Sequence, residues 1–331
     1  MRPSIQLIGP RPTKIGELAV KAEAAGFEAV GLPSPYGFYT GMGILAEATN
    51  EILLASSILP LFHASPYMHA ASSIMMQEVT NGRFILGVGS QTKGQVRTQV
   101  GIDPESPAKM ARDMVLAIQS LMNGEGHYEG QYYKLNTGPR LVIHATGEKP
   151  PPIYFSGVNA LMLGLSGELC DGMLAHPIFS KKDFEEVVWP LVDKGLKKSN
   201  KQRDDFKMCA LPMIWVLGEG TNRAEAYSRG KRNLANYFST KAYSGYMDSH
   251  GWSKEKDQIR EVWLDAMKSG KPIDGDMMED ILSEDIVDEV CIIGDPQEVR
   301  EKVIERYDGL ADSLYFYAFH DSFPTRSEEE E

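Results

Sequence analysis

The stretch ILLASSIL, residues 52–59, is apolar almost throughout and shows no alternation of polar and apolar positions. That pattern and length fit a strand buried on both faces. Pro66 then opens PYMHAASSIMMQEV (66–79), a helical segment that the Asn81-Gly82 turn ends. RFILGVG (83–89) repeats the apolar run. Strand, helix and strand, with both strands apolar, make the βαβ unit of a parallel sheet.

The alternation extends both ways. Upstream, Ser4–Gly9 and Glu28–Pro33 read as strands. Between them lies a helix over Lys14–Ala25, with Thr13 as its cap and Gly26 as its stop. Gly43–Thr49 reads as a short helix. Downstream, a helix over Pro107–Asn123 precedes a Gly-, Tyr- and Pro-rich excursion with a hairpin around Tyr128–Leu135. Strands follow at Ile153–Gly157, Gly172–Pro177 and Lys207–Leu217, and helices at Ala160–Leu169, Lys181–Ser199 and Thr221–Phe238. Asp295, Pro296 and Glu298 start a helix that runs to Tyr307, and Asp312–Ala318 is the eighth strand.

Eight apolar strands with helical crossovers predict an α/β protein built as a single (β/α)8 TIM barrel. A doubly wound open sheet is the rival that periodicity alone leaves open. Ser239–Glu289 is the least regular stretch. It reads as an insertion before the last helix and strand, able to cover the barrel mouth. The barrel domain is expected over residues 1–320, with the insertion at about 239–289 and a disordered acidic tail over 321–331.

Composition narrows the function. The 331 residues are 42% hydrophobic and 24% charged, enough for a large core without disulfide or metal staples. Cys170, Cys209 and Cys291 lie far apart with no CxxC, which excludes a zinc ribbon or a disulfide framework and fits reduced thiols. The net charge is −12, so nucleic acid is not an expected partner. No run of 18 apolar residues predicts a membrane span, and MRPSIQLIG lacks the pattern of a signal peptide, so a cytoplasmic location is expected.

In a barrel, chemistry sits at the C-terminal ends of the strands. That rule selects Ser34 and Tyr36, His63, Ser90 to Lys93, Ser156 to Asn159, His176 and His320. Gly87-Val88-Gly89 before Ser90 reads either as a tight turn or as a cradle for an anion, with Lys93 and Arg97 adding charge. Ser156-Gly157-Val158-Asn159 is a second such loop. Two loops on neighbouring strands point to a phosphate-bearing cofactor. No GxSxG elbow, no HExxH and no cluster of metal-ligating residues occurs, so no metal is expected.

Three blocks carry a resemblance: Ile52–Gln91; PPIYFSGVNALMLGLSGELCDGMLAHP (151–177); and DEVCIIGDPQEVREKVIERYDGLADSLYFY (288–317). In this order, with GRFILGVG in the first, the chain resembles the luciferase-like flavin and deazaflavin oxidoreductases. These comprise the bacterial luciferase-like monooxygenases and the coenzyme F420-dependent reductases and dehydrogenases. The resemblance implies a (β/α)8 barrel holding F420 or FMN at its mouth. It implies a non-proline cis peptide in a bulge at about Ser56–Ser57–Ile58, against the central ring of the cofactor. Ser90, Gln91 and Lys93 match the cofactor loop; Gly157, Val158 and Asn159 match the loop taking the phosphate; His176 falls near the same tail.

The chain also departs from some members. The F420-dependent sugar-phosphate dehydrogenases carry Asp-His after the second strand and an acid after the fourth, where this chain has Pro33-Ser34 and Thr92. No acid–base pair transfers from them, and His63 becomes the candidate for proton transfer. Ser34 and Tyr36 are expected in the substrate pocket. Lys93, Arg97, Lys181 and Lys182 can offset the acidic tail of F420. The expected activity is an F420-dependent hydride transfer to or from a small organic substrate. The alternatives are an FMN-dependent monooxygenase using reduced flavin and O2, and a non-catalytic flavin-binding barrel. A homodimer through the helices near the second and third strands is a further implication.

Overall fold

The computed structural model describes residues 1–9, 11–34, 37, 39–138, 149–218, 222–270 and 277–318. Contacts divide the chain into two units, one formed by Met1–His176, Lys182–Leu211 and Gly309–Tyr317, the other mainly by Pro212–Asp308 with Pro177–Lys181.

The strands in chain order are β1 (Arg2–Leu7), β2 (Ala29–Leu32), β3 (Leu53–Ser56), β4 (Leu59–Pro60), β5 (Phe84–Gly89), β6 (His127–Glu129), β7 (Lys134–Asn136), β8 (Ile153–Ser156), β9 (Gly172–Leu174), β10 (Lys207–Ala210), β11 (Ile214–Val216), β12 (Ile292–Gly294) and β13 (Ser313–Ala318). In the first unit, neighbours run β3-β2-β1-β13-β10-β9-β8-β5, and β3 also pairs with β5. That last pairing closes the ring, so the first unit contains the eight-stranded barrel expected from the sequence. β6 and β7 form the expected hairpin, with Tyr128 opposite Leu135.

The barrel strands are apolar runs because each is buried twice. Val30 and Leu54 face the helices in one core, with Leu7, Ile15 and Leu86. Ala29, Ala55, Ile85, Tyr154, Leu174, Cys209 and Tyr315 fill the barrel interior as a second core. The helices packed outside are α1 (Ile15–Ala24), α2 (Tyr39–Ala48), α3 (Pro66–Val79), α4 (Lys93–Val100), α5 (Pro107–Met122) and α6 (Ala160–Leu169), then α7 (Lys181–Asp183), which continues through a π turn into α8 (Trp189–Lys198).

Several expectations need correction. The helix expected from Lys14 begins at Ile15 after a 3-10 turn at Pro12–Lys14, and no side chain caps it, so Thr13 is not its cap. The short helix expected at Gly43 starts four residues earlier, at Tyr39. The seventh strand is not one strand. β10 ends at Ala210, and β11 leaves the barrel to pair with β12. Pro212, which has no N–H to give a ladder, stands at the break. α4 and β12 were not foreseen. α4 contains mostly polar residues, and β12 is only three residues long.

In the second unit, β11 and β12 are parallel, with Ile214 opposite Ile292 and Trp215 opposite Ile293. Around them are α9 (Arg223–Phe238), α10 (Ser244–Ser249), α11 (Ser253–Ser269), α12 (Glu284–Val290) and α13 (Pro296–Tyr307). The stretch read as irregular is thus helical over much of its described length. Its helices escaped notice because α11 buries only Ile259 and Ala266 and is charged elsewhere. Phe238 stacks on Tyr246, and both meet Trp252, at centroid distances of 5.9–6.0 Å. Asp295 caps α13 through the N–H groups of Gln297 and Glu298, as its sequence predicts. Tyr36, His320 and the tail over 321–331 lie outside the described residues. No helix among the described residues is long and apolar enough to cross a membrane.

Candidate active site

At the strand C-termini, where the site is expected, the chain has an irregularity between β3 and β4. Ala55 pairs with Ile85, but Leu59 pairs with Val88. Four steps on one strand therefore face three on the other, which is a bulge. The Ser57–Ile58 peptide within it is cis, where the resemblance placed one.

Ser56, fully buried, both donates to the Gly87 carbonyl and accepts from the Gly87 N–H, each at 2.9 Å. These two bonds tie the edge of the bulge to β5. A Cβ on Gly87 would lie 1.9 Å from the Ser56 carbonyl oxygen, and one on Gly89 would lie 2.2 Å from Ile58 Cδ1. The glycines of the GVG segment are thus needed where the bulge passes, and close packing explains them without an anion. The Ser57 N–H donates to the Leu32 carbonyl at 2.9 Å, and its own carbonyl accepts from Gln6 Nε2 at 2.6 Å. The Ser57 hydroxyl and Gln6 Oε1 are buried without a hydrogen-bond partner. Each such group costs about 1–3 kcal/mol relative to a satisfied one.

Ser156 pairs in register with Gly89. The next loop, Gly157 to Asn159, leads into α6. Asn159 is spent as the helix cap, accepting from Met162 N–H at 3.1 Å. A Cβ on Gly157 would sit 2.4 Å from Met162 Cβ, so the first turn of α6 requires this glycine. Val158 is partly buried beside it. The N–H groups that open α6 are directed out of the helix, as at any helix start.

The loop after β5 holds Ser90, Gln91 and the α4 cap Thr92. Gln91 has φ +59°, a left-handed conformation uncommon for a residue with a side chain. The Ser90 hydroxyl donates to the Gln91 carbonyl at 3.2 Å. Lys93 is the first residue of α4 and turns outward, its Nζ 3.3 Å from the Glu105 carbonyl. Arg97 pairs with Asp103 at 3.0 Å, and Lys181 reaches the Glu305 carbonyl at 3.0 Å. Three of the four cations expected to balance a cofactor tail are thus engaged locally.

His63 lies on a 3-10 turn after β4, half-buried, with Nε2 2.8 Å from Gln99 Oε1 of α4. His176 follows β9 and is partly exposed, yet desolvation holds its pKa down at about 3, so its imidazole is neutral at pH 7. Ser34 is partly buried in the turn after β2, where its carbonyl accepts from Gly37 N–H at 3.2 Å. The structure thus gathers Ser56, Ser57, Ile58 and Gly89 into one set of contacts, with Ser156 beside Gly89. His63 and Lys93 have their named contacts on α4 and with Glu105.

Two residues escaped the sequence reading. Gln6 was legible as a polar residue at an inward position of β1, since Ser4 and Gln6 alternate with Ile5 and Leu7. His69 of α3 is fully buried, with Nε2 3.0 Å from the Leu61 carbonyl and Nδ1 3.2 Å from the Tyr39 hydroxyl. Burial lowers its pKa to about 4 and raises that of Tyr39 to about 12. Nothing in its helical context signalled this tie between α2 and α3. Among the described residues, no group of three or more His, Cys, Asp or Glu side chains can hold a metal ion. At the opposite end of the barrel an open hollow of about 430 Å3 is lined by Arg2, Glu28 and Glu51, among others. It faces away from the bulge, and Arg2 pairs with Glu28 within it.

The family model for luciferase-like monooxygenases matches residues 2–313. The chain belongs to that family. It is accordingly an enzyme of the luciferase-like oxidoreductase type. The 5,10-methylenetetrahydromethanopterin reductase of Archaeoglobus fulgidus is 30% identical over 294 residues, 86% of this chain and 83% of that relative. The coenzyme F420-dependent tetrahydromethanopterin reductase of Methanopyrus kandleri superposes with a TM-score of 0.78 at 24% identity, covering 98% of this chain and 94% of the other. The oxygenating constituent of 3,6-diketocamphane monooxygenase from Pseudomonas putida, solved with FMN, has a TM-score of 0.67 at 16% identity and 97% and 93% coverage. The last two likenesses establish the shared barrel.

Proposed function

We propose that this luciferase-like enzyme is an F420-dependent oxidoreductase that moves a hydride between the deazaflavin and a small organic substrate. The observation that carries the reading is the bulge at the mouth of a closed barrel, where the Ser57 hydroxyl and Gln6 Oε1 are buried and unpartnered near Gly31 and the next residue, Ile58, lies over Gly89. A flat ring edged with hydrogen-bonding groups fits such a floor better than an ion does, because the floor offers apolar contact and single polar atoms rather than a charge cage. The relatedness to a reductase at 30% identity supports hydride transfer over oxygenation, while the fold is shared by an F420-dependent reductase and an FMN-bound monooxygenase alike.

When bound, the deazaflavin supplies two-electron hydride chemistry. The residues of the chain do the rest. Ser56 locks the bulge to β5, and Ile58 offers an apolar contact over Gly89. In this reading Ser90 and Gln91 border the ring, and the start of α6 after Gly157, Val158 and Asn159 takes the phosphate through backbone N–H groups. His176, neutral at pH 7, hydrogen-bonds near the same tail without contributing charge. His63 is the candidate for proton transfer. With Nε2–H donating to Gln99, its Nδ1 is the basic nitrogen. Ser34 borders the substrate.

Fluorescence titration of the purified protein with F420 and, separately, FMN tests the reading. Micromolar or tighter binding of F420 alone supports it. Binding of FMN alone, or of neither, overturns it. A homodimer belongs to the same proposal. α3 exposes Met68, Met75 and Val79 along one side, and Met75→Lys is expected to shift a dimer to monomer in light scattering.

A further inference from the structure

We propose that Gln6 is a positioning residue of this site, holding the Ser57 carbonyl so that the bulge presents Ser57 and Ile58 in the geometry that binds the cofactor. The inference rests on the F420 reading above.

Gln6 is on β1 and Ser57 follows β3, so the side chain must cross β2 to reach it. It crosses at Gly31, its register partner on β2. A Cβ on Gly31 would lie 2.7 Å from Gln6 Oε1 and 3.1 Å from both Ser57 Cβ and Tyr315 Cδ1. Only a glycine leaves this passage open. The orientation of the amide is fixed by chemistry, because the Ser57 carbonyl can only accept and Nε2 must therefore face it. The 2.6 Å bond is buried and spans 51 residues of sequence. With the Ser57 N–H on the Leu32 carbonyl, both polar groups of the Ser57 backbone are pinned, one by β2 and one by Gln6.

Stability alone gives a poor account of this residue. Its second arm, Oε1, is buried without a partner, and a hydrocarbon side chain would exchange that orphan for one at the Ser57 carbonyl, with little net change in stability. The bond it does make acts on Ser57, whose hydroxyl is also unpartnered, and through the chain on Ile58 over Gly89. The groups that Gln6 orients are the ones the bulge offers to a ligand.

The test compares the full-length wild type with Gln6→Leu and Gln6→Glu, using F420 titrations and thermal unfolding. Gln6→Leu is expected to keep its thermal midpoint within about 4 °C, as for a change near 1 kcal/mol or less. Its dissociation constant for F420 is expected to rise about tenfold, the equivalent of one lost buried hydrogen bond. Gln6→Glu can donate to the Ser57 carbonyl only while protonated. Its neighbours at this point are Gly31, Ser57 and Tyr315, whose phenol stays neutral because burial raises its pKa well above 10. This variant should bind F420 nearly as well as wild type at about pH 5 and progressively worse towards about pH 8, relative to wild type at each pH. A merely structural role would lower the midpoint and would give no such rescue. Unchanged F420 affinity in Gln6→Leu, or a Gln6→Glu affinity that tracks wild type across pH, overturns the role of Gln6 alone. Wild-type protein that binds no F420 overturns the cofactor reading and this inference together.

Discussion

Below β3 the carboxylate of Glu23 collects the N–H groups of Asn50, Glu51 and Ile52 at 2.6–3.3 Å, whereas above β3 the Ser57 hydroxyl and Gln6 Oε1 collect nothing. The same contrast runs around the rim. At the N-terminal ends of the strands Arg83 donates to the carbonyls of Thr49, Ile52 and Thr80 and to the Thr49 hydroxyl, Asp171 accepts from Ile153 N–H, Asp312 accepts from Met208 N–H, and Glu28 holds Ser313. At the C-terminal ends the bulge, the glycines and the left-handed Gln91 cluster together. One end is stitched by charged side chains, with Ser4 Oγ on β1 also buried without a partner; at the other end the unpartnered Ser57 and Gln6 atoms meet at the bulge. The contrast is a division of labour within one barrel, in which charged anchors are concentrated at the end away from the candidate site.

The sharpest way to break this comparison is Arg83→Ala. It removes four hydrogen bonds and leaves three carbonyls short of a partner, so urea unfolding should show a loss of about 3–4 kcal/mol. F420 affinity of the folded fraction should be unchanged. A loss below about 1 kcal/mol would mean the lower rim is not the anchor.

His69 sharpens the comparison, because it is a fully paired group on the bulge side. Its folded pKa of about 4 lies below the ordinary 6.5, so protons bind the unfolded chain first. Its contribution is complete above about pH 6.5 and is lost as pH falls towards 4, amounting to about 3 kcal/mol in full. His69→Gln should flatten the unfolding free energy over that window; an unchanged slope would remove His69 from the account.

At the upper rim the effects should fall on binding. Gly89→Ala pushes on the end of the Ile58 side chain, which can yield, and crowds the Ser156 carbonyl at 3.1 Å, which yields less, so stability should drop by about 1–3 kcal/mol while the F420 dissociation constant rises about tenfold. Ser57→Ala removes an orphan hydroxyl. Stability in thermal unfolding should rise by about 1 kcal/mol, while F420 affinity should weaken about threefold to fivefold. Equal destabilisation by Ser57→Ala and Arg83→Ala would erase the distinction between the two ends.

Much of this was legible in the chain. The doubly buried strands read as apolar runs because Val30 and Leu54 face one core while Ala29 and Ala55 face another. The Asp295 cap and the hairpin at Tyr128–Leu135 were local patterns and formed as read. The second unit was less legible. Its helices carry charge on most faces, and the break at Pro212 lies inside a run, KMCALPMIWVL, that is apolar on both sides of it. The site was legible by position rather than by contact. The strand-end rule marked His63 and Ser90 to Lys93 and the resemblance marked Ser56, Ser57 and Ile58, yet nothing local showed that Lys93 turns to Glu105 or that Asn159 is spent on Met162.

The sequence by itself determined most of the buried segments and their order, because burial leaves a periodic mark in the barrel strands and the helices that cover them; the closure of the ring by β3 and β5 is tertiary. Only the tertiary structure decided that Gln6 reaches Ser57 across Gly31, that the Ser57 hydroxyl stays unpartnered, and that β11 leaves the barrel for β12. Those outcomes depend on register between strands distant in the chain, and a one-residue change in register moves a side chain to the other face without altering the local pattern that predicts the strand.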